Sequence, residues 1–247
     1  MSKQQVIFKD LGQMDYQTAW TYQESLLQQN VAIKTQGANY KEQVEENISL
    51  TANNQLPTVN YLLFVEHPAV YTLGKSGKIE NVLISSNDRN EKGIDFFQTN
   101  RGGDITFHGP QQIVGYPILD LEKFKTDIGI YLRNLEEIMI LTLADYGIKG
   151  DRSAGETGVW IDPGIKGKER KIGAIGVRCS RWITMHGFAF NINTDLSYFN
   201  HIVPCGIQNK QVTSLEKELE EKVNYEEAKE KVKKNFEKVF DVNLCTM

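Results

Sequence analysis

Reactive side chains in unusual settings fall in a few short stretches of this chain. Cys205 stands in Ile202-Val203-Pro204-Cys205-Gly206-Ile207. Proline fixes the approach and glycine permits an unusual backbone just after, so the thiol suits a chain reversal where it could act as a nucleophile. It equally suits a small buried hydrophobe, the usual state of a free cysteine and the reading kept for Cys179 and Cys245. A nucleophilic thiol needs a base, a cation or a helix N-terminus to favour its thiolate. The histidines His67, His108, His186 and His201 all fall in turn-like positions at strand ends, where sites tend to be built. Each also fits a satisfied core or turn imidazole. Lys171 is the last cation of a charged loop and opens the glycine-spaced apolar run Lys171-Ile172-Gly173-Ala174-Ile175-Gly176. It either points into the domain or simply ends the loop, and spacing alone does not choose. The segment Arg101-Gly102-Gly103-Asp104-Ile105-Thr106-Phe107-His108-Gly109-Pro110 has two adjacent glycines. They either let the backbone aim N–H groups at a ligand or make a tight turn between strands.

Several chemistries are absent. The Gly-rich segment lacks the G-x-x-x-x-G-K-[ST] spacing of a phosphate loop, and no G-x-G-x-x-G follows a strand. No His pair has the H-x-x-x-H spacing of a zinc hydrolase helix. The three cysteines form no C-x-x-C pair and their number is odd, so neither a disulfide framework nor a cysteine-rich zinc site is indicated. Lys and Arg number 28 against 32 Asp and Glu, a net charge of −4, which argues against a general nucleic-acid binder. The 247 residues suffice for one large domain with a real core. The only apolar run in residues 1–10 is Val6-Ile7-Phe8, too short for a signal peptide, and Ile138 to Ala144 cannot span a bilayer. The expectation is a reduced, cytoplasmic protein with no membrane segment; an organelle matrix after removal of a transit peptide stays open.

The elements that must position these groups follow from periodicity. Residues 15–31 read as a helix, and residues 34–58 as a polar loop or partly helical excursion closed by Pro57. Tyr61 to Val65 reads as a buried strand stopped at Glu66-His67-Pro68, with a second strand from Val70 to Leu73. Residues 85–93 read as a polar turn, and 94–99, 105–107 and 113–119 as strands. Asp127 is placed to cap a helix running to about Tyr146, with Gly147 as its C-cap. Residues 158–193 read as β, in pieces 159–161, 171–177, 182–185 and 188–192, with 162–170 an exposed loop. Two charged amphipathic helices end the chain, with Thr213/Glu216 and Asn224/Glu227 as capping boxes. This mixed order predicts an α/β or α+β domain with a small helical C-terminal lobe.

Taken together, the chain resembles the lipoyl(octanoyl) transferase family. The resemblance rests on Glu66-His67-Pro68-Ala69-Val70-Tyr71-Thr72-Leu73-Gly74, Arg101 to Pro110, Gly158-Val159-Trp160, Lys171 to Arg178, His186 to Asn191 and Ile202 to Ile207, in the family's order and over about residues 55–215. It implies a mixed-sheet fold of the biotin/lipoate ligase-like type. The catalytic domain would run over 1–212, with a polar insertion at 34–58 and a loop at 162–170, and 213–247 would form a helical segment of the same domain. The implied reaction moves an octanoyl group from the 4'-phosphopantetheine thioester of acyl carrier protein to a lysine of a lipoyl domain. Targets of that kind are 2-oxoacid dehydrogenase E2 subunits and glycine-cleavage H protein; no separate cofactor and no metal are implied. Cys205 matches the family's transient acyl carrier and Lys171 the lysine that lowers its pKa. The substrate-binding stretches fall on Arg101, Gly102, Gly103, Asp104, Ile105, Thr106, Phe107 and His108, on Ala174, Ile175 and Gly176, and on Gly187, Phe188 and Ala189.

The family relation also sets alternatives: an ATP-dependent lipoate-protein ligase of the same fold, for which the G-x-G-R-x-G-R loop of biotin ligases is missing, or a non-catalytic module that holds a lipoyl domain. One departure is Gln111, where the family has glycine; a required positive φ there would cost about 1 kcal/mol or more, and local rearrangement without loss of function is the expectation. Acyl carrier proteins are acidic, as is this chain on average, so steering needs a local basic face. Residues 149–181 supply one, with eight Lys/Arg against four Asp/Glu. The loop 162–170 is the expected docking element, through Lys166, Lys168 and Arg170.

Overall fold

A computed structural model describes residues 3–36, 57–203 and 211–246. The Pro204 to Ile207 segment with Cys205, and most of the polar stretch 34–58, lie outside the described residues. The strands are β1 (Gln4–Gln13), β2 (Tyr61–Glu66), β3 (Val70–Leu73), β4 (Asp95–Gln98), β5 (Ile105–His108), β6 (Gln112–Ile118), β7 (Gly150–Asp151), β8 (Val159–Ile161), β9 (Arg170–Ser180), β10 (Ile183–Asn191), β11 (Gln211–Val212) and β12 (Val242–Cys245). The helices are α1 (Tyr16–Gln36), α2 (Ser86–Glu91), α3 (Ile128–Ala144), α4 (Leu215–Leu219) and α5 (Tyr225–Phe240).

Among the described residues the main sheet runs β12-β1-β2-β6-β10-β9-β8-β7, with β11 added in parallel beside β9. Its first two pairings, β12 with β1 and β1 with β2, are parallel, and those from β2 through β7 are antiparallel. A smaller sheet has the order β4-β3-β5.

Period-two alternation divides the core. On β2, Leu62 and Phe64 face a cluster built with α3 and α5, while Leu63 and Val65 face the cluster under α1. The small sheet closes a third cluster around Tyr71, Ile105 and Phe107. Helix α1 buries Tyr16, Ala19, Gln23, Leu26, Leu27 and Asn30, a stripe at helical spacing that includes two amides. Asp15 starts it by accepting the Thr18 N–H at 2.9 Å. Asp127 caps α3 through the Ile130 N–H, and Gly147, at φ 73°, follows it.

Four local expectations are corrected. Residues 85–93 contain α2, started by Ser85, whose side chain accepts from the Asp88 N–H; it buries no side chain, so no periodicity announced it. The pieces 182–185 and 188–192 are one strand, β10. Its hairpin with β9 turns through Arg181 and Trp182, both at positive φ (51° and 66°), without the usual Asn-Gly signal. Ser214 rather than Thr213 caps α4, accepting from Lys217, while Asn224 caps α5 as expected. Finally, β12 follows the last helix and returns to the sheet edge beside β1.

Candidate active site

A cavity of about 490 Å³ opens between β9 and β10 of the main sheet and β5 with the loop before it. Arg101, Gly103, Asp104, Ile105, Thr106, His108, Lys171, Ala174, Ile175, Gly176, Gly187, Phe188 and Ala189 all border it. Two residues of the same stretches are placed differently. The Gly102 N–H donates to Val177 O at 2.9 Å, and the Phe107 ring stacks on Tyr198 with centroids 4.6 Å apart. Cys205 is outside the described residues. Of its described flanks, Val203 donates its N–H to Asn81 O at 2.8 Å, and Gln211 and Val212 pair with Arg170 and Lys171.

Arg101 builds the loop from within. Its guanidinium is buried and donates to Thr72 O (2.6 Å), Thr72 Oγ1 (3.0 Å), Asp104 O (2.8 Å) and Gly102 O (3.0 Å). Lys75 and Ser76 donate their N–H groups to Arg101 O and Gly103 O, which pins the loop from the other side. Close approach explains two glycines. A Cβ on Gly176 would lie 2.9 Å from both Arg101 Cδ and Gly102 O, and one on Gly187 would lie 2.1 Å from Gly115 O. These glycines pack backbone against backbone and so shape the wall.

At the cavity face formed by α1, β5, β6 and β10, three buried imidazoles meet Tyr16 and Tyr116. His67 donates from Nδ1 to Met14 O and accepts the Tyr116 hydroxyl at Nε2, both at 2.7 Å. Gln112 donates its amide to Phe107 O and Asn191 Oδ1, so its oxygen faces His108 and the His108 proton sits on Nδ1, 2.8 Å away. The ring of Tyr16 stacks on that of His108 at 6.0 Å. His186 donates from Nε2 to Asn100 Oδ1 at 2.8 Å, while its Nδ1 is buried and finds no hydrogen-bond partner among the described residues. It holds φ 59° within β10, fixed by its N–H donating to Gln23 Oε1 at 3.0 Å.

Burial is the main reason these imidazoles stay neutral. It lowers His67 to about 4 and, with Arg101 and Arg178 nearby, His186 to about 3. It also puts His108 well below its ordinary value, aided by the adjacent His67. Burial likewise raises Tyr16 to about 12.

Lys171 occupies the other part of the wall. Its Nζ lies 4.8 Å from the centroid of the Trp160 ring, and Gly155, Glu156 and Thr157 line the cavity nearby. The apolar residues Ile105, Val114, Ile175 and Phe188 line the space between. This arrangement can seat an acyl chain along β9 and β10 with a cation at one side.

Sequence reasoning missed Tyr16, Tyr116, Gln112 and Asn191 as members of this site. Tyr16 and Tyr116 read as ordinary apolar-pattern residues. The one usable signal was the Gln111-Gln112 pair following Gly109-Pro110, since a glutamine opening a buried strand must find partners. Gln111 does take a positive φ, 61°, and its carbonyl accepts from Asn193 N and Thr194 Oγ1, each at 3.1 Å.

Residues 15–237 match the family model described as the lipoyl protein ligase A/B catalytic domain. Over 240 residues the chain is 57% identical to an octanoyltransferase of Flavobacterium psychrophilum, covering 97% of each chain. It is 54% identical over 241 residues to an octanoyltransferase of Christiangramia forsetii, again covering 97% of each. Among solved structures it superposes on the archaeal bi-partite lipoate protein ligase of Thermoplasma acidophilum with a TM-score of 0.67 and 14% identity, covering 100% of this chain and 88% of that one. That last likeness concerns the fold alone, and it is the mixed-sheet, ligase-like fold expected.

Proposed function

We propose that this chain, which belongs to the lipoyl protein ligase A/B catalytic-domain family and is an octanoyltransferase, draws its octanoyl group from acyl carrier protein and passes it through Cys205 to a lipoyl-domain lysine. The acceptors would be E2 subunits of 2-oxoacid dehydrogenases and the glycine-cleavage H protein, and the compartment the cytoplasm. No helix among the described residues is long and apolar enough to cross a membrane.

The observation that carries this reading is an apolar cavity with Lys171 in its wall and Val212, a short way after Cys205 in the chain, paired beside that lysine. An ammonium beside a thiol favours the thiolate. The Cys205 thiolate attacks the donor's thioester carbonyl; the phosphopantetheine sulfur leaves and takes a proton from the Lys171 ammonium. The neutral acceptor amine then attacks the Cys205 thioester, the new C–N bond forms and the C–S bond breaks. Lys171 recovers its proton from the amine nitrogen, and Cys205 leaves as the thiolate. The first exchange is between two thioesters and needs no ATP, and amide formation draws the second step forward. Each methylene buried along β9 and β10 contributes about 0.8 kcal/mol.

Incubation with octanoyl-acyl carrier protein should add the mass of one octanoyl group to the enzyme, on the peptide containing Cys205, and apo lipoyl domain should discharge it. A Cys205→Ala enzyme that still transfers octanoate at the normal rate overturns the covalent route. Transfer that requires ATP and free octanoate instead identifies a ligase.

A further inference from the structure

We propose that Trp160 is the positioning residue for the Lys171 ammonium, set opposite it by a β-bulge and held there through Gly158 and Glu136. The inference rests on the reading of Lys171 as the cation that serves Cys205.

The ladder between β8 and β9 changes register by one residue. Val159 pairs with Gly173, and by that register Trp160 would face Ile172. Instead Trp160 pairs with Lys171 and Ile161 with Arg170. Ile172 is the extra residue, and it is buried in the core beneath α3. Residues directly opposite in a ladder share a face of the sheet, and bulges re-aim side chains in this way. The slip therefore brings the Trp160 ring and the Lys171 stem to the same side, with Nζ 4.8 Å from the ring centroid.

That separation is within the range of a cation over an aromatic face. A π face attracts an ammonium without adding a counter-charge. It therefore helps to fix the end of a flexible four-carbon stem. The ring is itself fixed, since Trp160 is only 3% exposed.

Gly158 supplies the space. It holds φ 118°, and a Cβ there would lie 2.5 Å from Gly173 O and 3.1 Å from Lys171 Cε. The lysine stem runs where a side chain at 158 would be. Glu136 fixes Gly158 in turn: it is fully buried on α3 and its Oε1 accepts the Gly158 N–H at 3.0 Å. Arg152 Nε (2.9 Å) and Arg133 (2.7 Å) both reach its Oε2 and offset its charge. Helix α3 thus positions the cavity's cation through one backbone N–H and one glycine.

The test separates a π seat from simple packing. Trp160→Phe keeps an aromatic face, and Trp160→Leu keeps apolar bulk without one. The readouts are the pH midpoint for alkylation of the Cys205 peptide by iodoacetamide, the rate of octanoyl-enzyme formation, the KM for octanoyl-acyl carrier protein, and the melting temperature. Trp160→Leu should raise the midpoint by about one pH unit and slow acylation about tenfold at neutral pH, with KM within about twofold. Trp160→Phe should restore most of both. A wild-type midpoint in Trp160→Leu, or equal losses in the Phe and Leu variants, overturns the proposal. If Trp160→Leu does not fold, Gly158→Ala should move the midpoint in the same direction, and an unmoved midpoint there overturns it. Lys171→Met tells the two readings apart. An unmoved midpoint there defeats the role of Lys171 itself, whereas a moved midpoint there with an unmoved one in Trp160→Leu defeats only the seat.

Discussion

Arg170 and Glu218 form a two-pronged ion pair, Nε to Oε1 and Nη2 to Oε2, both at 2.6 Å. It joins the start of β9 to α4 across the short strand β11, and Glu218 also accepts the Thr213 hydroxyl at 2.6 Å. Asp162 takes a further prong of Arg170 at 2.7 Å. The pair fastens Gln211 and Val212 beside Arg170 and Lys171. It also changes the expected docking role of loop 162–170, because the Arg170 charge is spent inside the fold.

Glu218→Gln should lower the melting temperature by about 2–4 °C at neutral pH, the shift expected for about 1 kcal/mol in a chain of this size. Burial alone would push the Glu218 carboxyl up, but Arg170 and Thr213 hold it below its usual value. Its folded state is therefore the stronger acid, and the stabilisation is present above the ordinary carboxylate range. It is lost as pH falls through the lowered folded value. The gap between wild type and Glu218→Gln should accordingly close on acidification, followed by thermal melts between neutral pH and about pH 3.

The buried imidazoles make a second pH dependence. Free histidine titrates near 6.5, whereas His67 and His186 are lowered to about 4 and about 3 by burial. Between these values the unfolded chain binds more protons than the folded one, so stability is full above about 6.5 and declines as pH falls toward 4. Each such group contributes up to about 1.4 kcal/mol per pH unit. Urea midpoints at pH 7 and pH 5 should differ markedly in wild type and less in His67→Gln. Equal slopes in both proteins would refute this account.

Gln111 is held at φ 61° by its contacts to Asn193 and Thr194. Gln111→Gly should be near neutral, within about 1 kcal/mol, because relief of the left-handed backbone offsets the lost side-chain bond and the greater freedom of the unfolded chain. Gln111→Val should cost about 2 kcal/mol or more, since a β-branched residue tolerates that backbone poorly. Chemical denaturation of the two variants checks the order.

Lys166 and Lys168 remain exposed on the loop before Lys171, with Ile165 49% exposed beside them. Lys166→Glu/Lys168→Glu should raise the KM for octanoyl-acyl carrier protein several-fold at low salt and flatten its salt dependence. Turnover of a small octanoyl thioester should be unchanged. An unchanged carrier KM removes this loop from docking.

How much of this was legible depended on the range of the determining interactions. The strand Tyr61–Glu66, the capped helix from Ile128 and the Asn224 cap all follow from local steric and hydrogen-bonding rules, and they are found as read. At Gln111 the expected rearrangement does not occur: it keeps the left-handed backbone, held by Asn193 and Thr194. The exposed helix Ser86–Glu91 and the edge strand Val242–Cys245 were not legible. The first buries nothing, and the second exists because β1 offers it a pairing edge in parallel. In the site, motif order marked thirteen cavity-lining positions, yet Tyr16 and Tyr116 carried no local mark of it.

By itself, the sequence determined the reactive residue types, their order and the family they resemble, because those reside in short segments whose chemistry is local. Only the tertiary structure decided that Arg101 serves the loop's interior and that Arg170 is spent on Glu218. It alone decided that a one-residue register slip turns Trp160 toward Lys171. These are outcomes of packing between segments far apart in the chain. Burial and register, which set a side chain's partners and its charge state, have no value until the sheet has formed.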